Sequence, residues 1–537
     1  MVSWLVMWAI LVSAALAFRP LMPVDETRYL AVAWEMWLRD DFLVPHLNGA
    51  PYSHKPPLLF WLMQAGWSVF GVNEWWPRLV APLFGLASLY LISAICRRLW
   101  PEDLAAPAAA PMILLGSLFW ALYTTLTMFD MLVAALALLG LLGVLAVWRR
   151  GGIAGWILLA VATGLGALAK GPVILLFTLP TALLAPWWDT ERRIAAAPGG
   201  WLRWYLGLAA AITLGAAMAL AWALPAAERG GEAYSNAILW GQTAGRMVNS
   251  FAHKQPFWWH LALLPALCLP WALLPSFWWQ ARALRHRRSE QTILPTDPGS
   301  RFCLIWFVVA LVVLSLVSGK QPHYLLPALP ALACLAARWL SSSIGSIDRA
   351  DAMTVAGAAL VLALAMAGFG SGGELRAAGV DRFPVNALWA VPLAAGAVFV
   401  AWRQPPGLMP VTALSALIII SVHGYGKPGL QSTFDVHPIA RYLGDIQQAG
   451  RPVAHDGKYH GQYNFPGRLT QPLSFVDCKT APDWLRQHPN AALVYYTRRP
   501  PTGVKADVAQ RVRGKYAGVW DAATVLADPG NFDCEPR

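Results

Sequence analysis

Apolar runs long enough to cross a membrane recur along most of this chain. A helix needs about 17 to 25 mostly apolar residues to span the hydrocarbon layer, and runs of that kind between turn and charge signals predict about thirteen helices. The predicted spans are 2–18, 77–96, 106–124, 130–148, 153–169, 172–188, 204–224, 258–279, 302–318, 324–340, 352–370, 385–402 and 408–423. Only 13% of the residues are charged, whereas a soluble domain has about a quarter. We therefore predict an all-α polytopic membrane protein.

Arginines mark alternate loops between the predicted spans. All fall on one side of the predicted topology: Arg97, Arg98, Arg149, Arg150, Arg192, Arg193, Arg282, Arg285, Arg287, Arg288, Arg338, Arg349 and Arg403. Cytoplasmic loops carry an excess of Lys and Arg, so this side is predicted to face the cytoplasm. The overall excess of 41 basic over 29 acidic residues has the same explanation, and we predict membrane lipids rather than nucleic acid as partners.

The pattern divides the chain into two domains. Residues 1–424 form the predicted transmembrane domain, with a long first outward loop at 19–76. Residues 425–537 are richer in charge and contain short β-favouring runs, which predicts a small soluble α/β domain on the outward side. Within this tail Cys478 and Cys534 would be able to form a disulfide if the domain is exported. The remaining cysteines are predicted to be packing residues.

The first outward loop begins with charged residues beside an amphipathic stretch. Asp25, Glu26 and Arg28 directly precede residues 29–38, in which Trp34 and Trp37 are spaced to lie in the membrane interface. Such a helix would hold a carboxylate at the membrane surface. Alternatively, Asp25 and Glu26 only cap the helix, because a helix N-terminus favours negative charge.

Further polar residues are predicted at the outward ends of later spans. They are Asp130, Lys170, His253, Lys254, Lys320, His323 and Tyr324. Ionisable groups at membrane depth are costly and usually functional. A carboxylate can accept the proton of a hydroxyl nucleophile while cations neutralise a phosphate leaving group. For single residues simpler roles stay open: the lysines can snorkel at helix ends, a lone histidine can serve as a loop hydrogen-bond partner, and the tyrosines can be interfacial.

Several other classes of protein lack support. The sequence contains no GxxxxGK[ST] phosphate loop, no HExxH and no CxxC pattern, which argues against nucleotide-driven transport and zinc-protease chemistry. It also shows no internal repeat of the kind expected from a pump built of two similar halves. A flippase for a lipid-linked saccharide and a noncatalytic scaffold remain as alternatives.

Two segments of the first loop carry a family resemblance. Asp-Glu-Thr-Arg-Tyr at 25–29 and the Asn-Gly-x-Pro-Tyr-x-x-Lys-Pro-Pro-Leu segment at 48–58 resemble the bacterial lipid A aminoarabinose transferases and their protein-mannosyltransferase-like relatives. The resemblance implies a GT-C fold and inverting transfer of a sugar from a polyprenyl-phosphate donor to a lipid A-like or other cell-envelope acceptor. It also implies a bacterial inner-membrane enzyme whose active face and C-terminal domain are periplasmic.

The resemblance also implies roles for individual residues. Asp25 would be the catalytic base that activates the acceptor hydroxyl, or the carboxylate that positions it, and Asp130 would be the second acidic residue of the cavity. The cations implied at the donor phosphate are Arg28, Lys55, Lys170 and Lys320. The implied cavity or substrate contacts are Tyr52, His54, His253 and Tyr324.

One position departs from the family pattern. Relatives commonly have an acidic residue directly before Lys-Pro-Pro, where this chain has His54. If that acid holds a divalent metal in relatives, His54 and His253 would be able to serve as ligands, because imidazole suits zinc. A divalent metal is thus left open, and no metal or other cofactor is assigned.

Overall fold

The computed structural model describes residues 2–240, 254–279, 282, 297–341, 347–370, 374–377, 380–403, 406–498, 503–512 and 515–532. Helices dominate up to residue 434, and a small mixed domain follows. The first helices are α1 (Val2–Phe18), α2 (Asp25–Leu38), α3 (Leu58–Phe70), α4 (Trp75–Leu99), α5 (Ala106–Gly116), α6 (Leu118–Thr124), α7 (Phe129–Arg150), α8 (Ala154–Lys170) and α9 (Ile174–Leu183). Next come α10 (Ala185–Trp188), α11 (Arg193–Ala196), α12 (Gly200–Gly230), α13 (Glu232–Asn236), α14 (Trp259–Leu267), α15 (Pro298–Leu316), α16 (Leu329–Ser341), α17 (Arg349–Gly370), α18 (Ala390–Trp402) and α19 (Leu408–Phe434).

Each predicted span overlaps a helix, but the helices differ in length. Within the described ranges, eight helical stretches are long and apolar enough to cross a membrane when α8 and α9 are taken together as the one stretch Ala154–Leu183, and the pair α5 and α6, bent by 74°, would add a ninth. The predicted span 258–279 is wrong as one continuous helix. There α14 ends at Leu267, and a short turn at Trp271–Leu273 follows Pro270, which cannot donate a backbone N–H.

The helices α8 and α9 form a hairpin. A Cβ atom built on Gly140 of α7 would lie 3.2 Å from Leu159 of α8 and 3.0 Å from Thr178 of α9. Residues so far apart in sequence can both approach one glycine only if the chain folds back between them. The turn lies at Gly171, whose φ of +75° favours glycine. The hairpin predicted at Lys-Gly-Pro is therefore confirmed, with Lys170 at its tip.

The helices α7 and α8 touch through their backbones near their other ends. A Cβ atom on Gly143 would lie 2.5 Å from the carbonyl oxygen of Gly155, and one on Gly155 would lie 2.5 Å from the carbonyl oxygen of Gly143. Since real Cβ atoms essentially never approach so closely, both positions require glycine. Interfaces between membrane helices commonly use small residues in this way.

Charged residues separate to the two ends of the helical domain. At the basic end, Arg149 donates to the carbonyl oxygens of Arg98 (2.7 Å) and Leu99 (3.0 Å), and Arg338 pairs with Asp103 at 2.7 Å. Between its first and last turns α7 carries no charged residue. Arg98, Arg149 and Arg338, which belong to the arginine pattern of the sequence, therefore lie at one physical end of the structure.

The C-terminal domain contains a five-stranded mixed sheet. Its elements are α20 (His437–Gln448), β5 (Val453–Asp456), β6 (Ser474–Val476), α21 (Ala481–Gln487), β7 (Ala492–Thr497), β8 (Val508–Val512), β9 (Lys515–Asp521) and α22 (Ala522–Ala527). The strands β1 (His46–Leu47) and β2 (Ala50–Pro51), and β3 (Glu374–Ala377) and β4 (Val380–Pro384), form two small hairpins earlier in the chain. The strand order is β6-β5-β7-β9-β8, with β5 parallel to β6 and β7 and the other pairs antiparallel. The predicted α/β tail is confirmed.

Details at the start of this domain differ from expectation. The helix α19 runs through residues 424 and 425 to Phe434, so the first residues of the predicted tail are helical, and the domain division at that point stays a prediction. Cys478 is disulfide-bonded, while Cys534 lies outside the described residues. The four cysteines that are free are Cys96, Cys268, Cys303 and Cys334.

The first outward loop packs against the C-terminal domain. The indole of Trp34 is 8% exposed and donates a 2.9 Å hydrogen bond to the carbonyl oxygen of Leu469. Trp37 packs edge-on against Trp67 of α3. The prediction that Trp34 lies in the membrane interface is therefore wrong, because the C-terminal domain covers that face of α2.

Candidate functional site

The centre of the candidate site is the carboxylate of Asp130, in the first turn of α7. It is 3% exposed, and the Nζ of Lys170 donates to its Oδ1 at 2.6 Å. Its Oδ2 lies 4.0 Å from the Nε2 of His323, in the short helical turn Pro322–Ala328. Three distant segments thus converge, and the pairing offsets the cost of burying the carboxylate.

Aromatic rings connect this carboxylate to the first outward loop. The Nζ of Lys170 lies 4.9 Å from the ring centroid of Tyr324. On the other side, the Nζ of Lys55 lies 5.6 Å from the ring of Phe129, the residue before Asp130. The ring of Phe129 also packs edge-on against Tyr29, with centroids 4.9 Å apart. Lys55, Lys170 and Tyr324 are therefore grouped around the start of α7.

Asp25 lies in the first turn of α2 and is more accessible than Asp130. Its side chain is 49% exposed and forms an ion pair with Arg28. The hydroxyl of Tyr29 donates to its Oδ1 at 3.4 Å. Burial and the nearby Asp25 carboxylate raise the pKa of Tyr29 well above its ordinary value, so this hydroxyl stays protonated and can donate. Asp25 and Glu26 both lie in the first turn of α2, where the helix dipole favours negative charge, so the position of Asp25 is also compatible with the alternative that it only stabilises the helix end.

Glu26 has a different environment from its neighbour Asp25. It is fully buried, is paired with Arg19, and accepts from the backbone N–H of Met22 (2.9 Å) and of Thr127 (2.7 Å). Burial opposes ionisation, but Arg19 and these donors outweigh it and lower the pKa of Glu26. Because Thr127 lies shortly before Asp130, this contact fixes the start of α2 against the start of α7.

Tyr52 and His54 lie in the same loop as Lys55. The Tyr52 ring is buried and stacks on His54, with centroids 5.2 Å apart and an interplanar angle of 25°. The Tyr52 N–H donates to the carbonyl oxygen of Pro45 at 2.7 Å. Among the described residues, no group of three or more His, Cys, Asp or Glu side chains is placed to hold a metal ion. The other candidate ligand, His253, lies outside the described residues.

Lys320 occupies a different environment from Lys170. Its buried ammonium donates to the carbonyl oxygens of Gln255 (3.0 Å) and Val317 (2.5 Å). Lys254 and Gly319 form a backbone bridge beside it. These contacts join Lys254 and Gln255 to the end of α15. The ammonium of Lys320 therefore binds backbone carbonyl oxygens, and a role for Lys320 at the donor phosphate stays a prediction.

Two residues at the site have no role assigned from sequence. His323 faces Asp130, and the ring of Tyr123 lies 5.6 Å from the His323 ring. The sequence does place His323 among the outward ionisable residues, and its position next to Tyr324 was the available signal. Tyr123 carried no signal, because a tyrosine at a span end is ordinarily interfacial.

Known proteins match the chain over most of its length. The family model described as dolichyl-phosphate-mannose-protein mannosyltransferase matches residues 54–218. The undecaprenyl phosphate-alpha-4-amino-4-deoxy-L-arabinose arabinosyl transferase of Pseudomonas paraeruginosa is 30% identical over 452 residues, which cover 80% of this chain and 77% of that protein. This chain belongs to that transferase family. It is accordingly a membrane glycosyltransferase.

Other members and solved structures agree. The corresponding transferase of an Enterobacter species is 31% identical over 329 residues, covering 60% of this chain and 56% of that protein. The crystal structure of ArnT from Cupriavidus metallidurans bound to undecaprenyl phosphate has a TM-score of 0.73 at 19% identity and covers 100% of this chain and 99% of its own. The structure of that protein in the apo state gives 0.74 at 20% identity, covering 99% of each chain. The predicted GT-C fold is confirmed, and the flippase alternative gains no support.

Proposed function

We propose that the chain transfers an amino-pentose from undecaprenyl phosphate to a lipid A-like acceptor, with Asp25 as the base. The relatives named above supply the sugar and carrier classes. One observation carries the assignment of the base. Asp25 is half exposed beside Arg28, whereas Asp130 is buried and neutralised by Lys170. An acceptor can therefore reach Asp25 without separating a buried ion pair.

The proposed reaction takes place at the periplasmic face of the inner membrane. The basic end of the helical domain would face the cytoplasm, because cytoplasmic loops carry most Lys and Arg. Asp25, Asp130 and the C-terminal domain would then be periplasmic. The disulfide at Cys478 supports this orientation, since disulfides persist in the periplasm and are rare in the cytosol.

The chemistry is a single displacement at the anomeric carbon. An acceptor hydroxyl attacks that carbon while its proton passes to the Asp25 carboxylate. The bond between the anomeric carbon and the phosphate oxygen breaks, and its electron pair leaves with the polyprenyl phosphate. Arg28 and Lys55 are the cations proposed to stabilise the departing charge, as positioned donors do at developing anions. Attack opposite the leaving group inverts the anomeric centre.

Asp130 is proposed to act through its neighbours. Its carboxylate holds the ammonium of Lys170 over the ring of Tyr324 and faces the imidazole of His323. This arrangement keeps a cation fixed near Lys55 without a mobile counterion. A positioned cation costs no reorganisation when negative charge develops on the leaving group. Asp130 is thus the second acidic residue of the site, with a positioning role.

The test compares Asp25→Asn with Asp483→Asn in purified protein. Asp483 is an exposed carboxylate that pairs with Arg486 three residues later, the same spacing as Asp25 and Arg28. Each protein is incubated with a panel of undecaprenyl-phosphate sugars, amino-pentose and neutral sugars included, and a bacterial lipid extract. Mass spectrometry follows loss of donor and gain of glycosylated lipid.

The wild type and Asp483→Asn are expected to transfer the amino-pentose. Asp25→Asn should lose about 10²- to 10⁴-fold in rate, the range of a general base, while still binding undecaprenyl phosphate. If Asp25→Asn keeps most of the activity, Asp25 is not the base. If the wild type transfers only a neutral sugar, the amino-pentose assignment is wrong.

A further inference from the structure

The C-terminal domain is joined to the first outward loop by a connected set of polar groups. Glu35 of α2 accepts from the backbone N–H groups of Asn48 and Gly49, the latter at 2.9 Å, and from the Nδ2 of Asn464 at 2.9 Å. The Asn48 side chain donates to the carbonyl oxygen of Leu473 at 2.9 Å and accepts from its N–H at 2.8 Å. We call Glu35, Asn48 and Asn464 the interdomain clasp.

An aromatic stack lies beside the clasp. The ring of Phe465 is parallel to that of Trp67, with centroids 5.2 Å apart and an interplanar angle of 4°. The guanidinium of Arg468 lies 3.8 Å from the Phe465 centroid on this stack. Both Phe465 and Arg468 belong to the segment between β5 and β6, which also supplies Asn464. This segment therefore contacts both α2 and α3.

The clasp holds the hairpin that leads into the candidate donor-binding residues. Asn48 and Gly49 form the turn between β1 and β2, with φ of +52° and +83°. The chain then continues directly to Tyr52 and Lys55. Two of the three groups that donate to Glu35 are backbone N–H groups of this turn. Removing the third donor, Asn464, would leave a buried carboxylate less well satisfied, which is costly.

We propose that the C-terminal domain positions Lys55 for the donor phosphate through Glu35, Asn48 and Asn464. This inference rests on the proposed function, in which Lys55 binds that phosphate. The clasp residues are positioning residues, since they contact the hairpin and not the substrate. Loosening the hairpin should weaken binding of the carrier phosphate and leave the chemical step intact, because Asp25 and Asp130 are fixed separately by Glu26 and Lys170.

The experiment measures two quantities in Asn464→Ala, Asn48→Ala and the double variant. The first is the Kd for undecaprenyl phosphate, and the second is hydrogen exchange at the amides of Asn48 and Gly49. Arg451→Ala is the matched control, because Arg451 pairs with Asp521 inside the C-terminal domain and makes no clasp contact. The kcat at saturating donor is recorded as well.

Asn464→Ala should raise the Kd about tenfold, the loss expected for one hydrogen bond to a charged group, with faster amide exchange and kcat within about twofold. The loss of binding free energy in the double variant should be smaller than the sum of the losses in the two single variants, because both residues act through one set of contacts. Arg451→Ala should match the wild type. Unchanged exchange in Asn464→Ala, or faster exchange with an unchanged Kd, would overturn the proposal.

Failure of the proposed function would look different. A wild type that transfers no sugar would refute the proposed function, whereas exchange and Kd would still decide the role of the clasp. A fall in kcat with an unchanged Kd would mean that the C-terminal domain acts on the chemical step instead, and would also overturn the inference.

Discussion

Lys170, the last residue of α8, donates a 2.6 Å hydrogen bond to Asp130, in the first turn of α7. The two helices run in opposite directions, so the end of one meets the beginning of the other. A cation at a helix C-terminus and a carboxylate at a helix N-terminus are each favoured by the helix dipole. The pair therefore joins two favourable positions at the centre of the site.

Replacing Lys170 by alanine should destabilise the protein and abolish most transfer. It leaves the buried Asp130 without its cation, and breaking a buried ion pair costs about 3–5 kcal/mol. Thermal unfolding in detergent and the transfer rate provide the two readouts. The double variant Asp130→Asn with Lys170→Met should regain much of the stability and none of the activity. Recovery of activity in the double variant would show that the pair has only a structural role.

Replacing Lys55 by alanine should weaken donor binding with little effect on folding. A hydrogen bond to a charged group contributes about 1.5–3 kcal/mol, which corresponds to a loss of about 10- to 150-fold in affinity. The affinity for undecaprenyl phosphate is measured for the Lys55→Ala variant, and Lys479→Ala, at an exposed position, serves as the control. Equal affinities of the Lys55 and Lys479 variants would remove Lys55 from the phosphate site.

Replacing His323 by alanine should lower kcat/KM about tenfold. A neutral polar contact contributes on the order of 1.4 kcal/mol, and losing that much transition-state stabilisation slows the reaction about tenfold. His323 faces the Asp130 oxygen that does not bind Lys170, with its Nε2 4.0 Å away, so its loss removes a polar neighbour of that oxygen. His323→Asn keeps a polar side chain and should retain more activity. If both variants match the wild type, His323 is a packing residue.

Glu26 should make stability depend on acid pH. Its pKa lies below the ordinary carboxyl value, so the unfolded state binds its proton more readily than the folded state. The resulting stabilisation is complete above about pH 4.3, the ordinary value, and is lost as pH falls through the lowered pKa. Glu26→Gln should be less stable than the wild type near neutral pH, and its stability should change less with pH below about pH 4. Thermal unfolding of both proteins is measured from about pH 3 to about pH 7, a range that includes the ordinary carboxyl pKa. Parallel curves of unfolding temperature against pH for the wild type and Glu26→Gln would contradict the prediction.

Sequence patterns predict the features that depend on local order. Span positions follow from apolar run length, and the hairpin at Lys170 follows from Gly-Pro after a lysine. The basic end follows from arginines in alternate loops. Each needs only neighbouring residues and the thickness of a bilayer.

Features set by long-range contacts could not be predicted. Arg19 and Thr127 complete the environment of Glu26 from separate segments, so sequence alone did not distinguish its role from that of Asp25. Lys320 has the same residue type and the same predicted end as Lys170, yet it binds carbonyl oxygens. Trp34 has the spacing of an interfacial residue, but a domain more than 400 positions later covers it.

The contact between Gly143 and Gly155 sets how closely α7 and α8 approach each other. It lies about 20 Å from Asp130 and Lys170 along helices that rise 1.5 Å per residue. The two helices approach through their backbones at Gly143 and Gly155 and hold the Asp130–Lys170 ion pair at the other end. A methyl group on either glycine should force α7 and α8 apart at this contact and move Lys170 away from Asp130. We therefore expect sequence changes at the end of α7 and α8 opposite the candidate site to alter transfer.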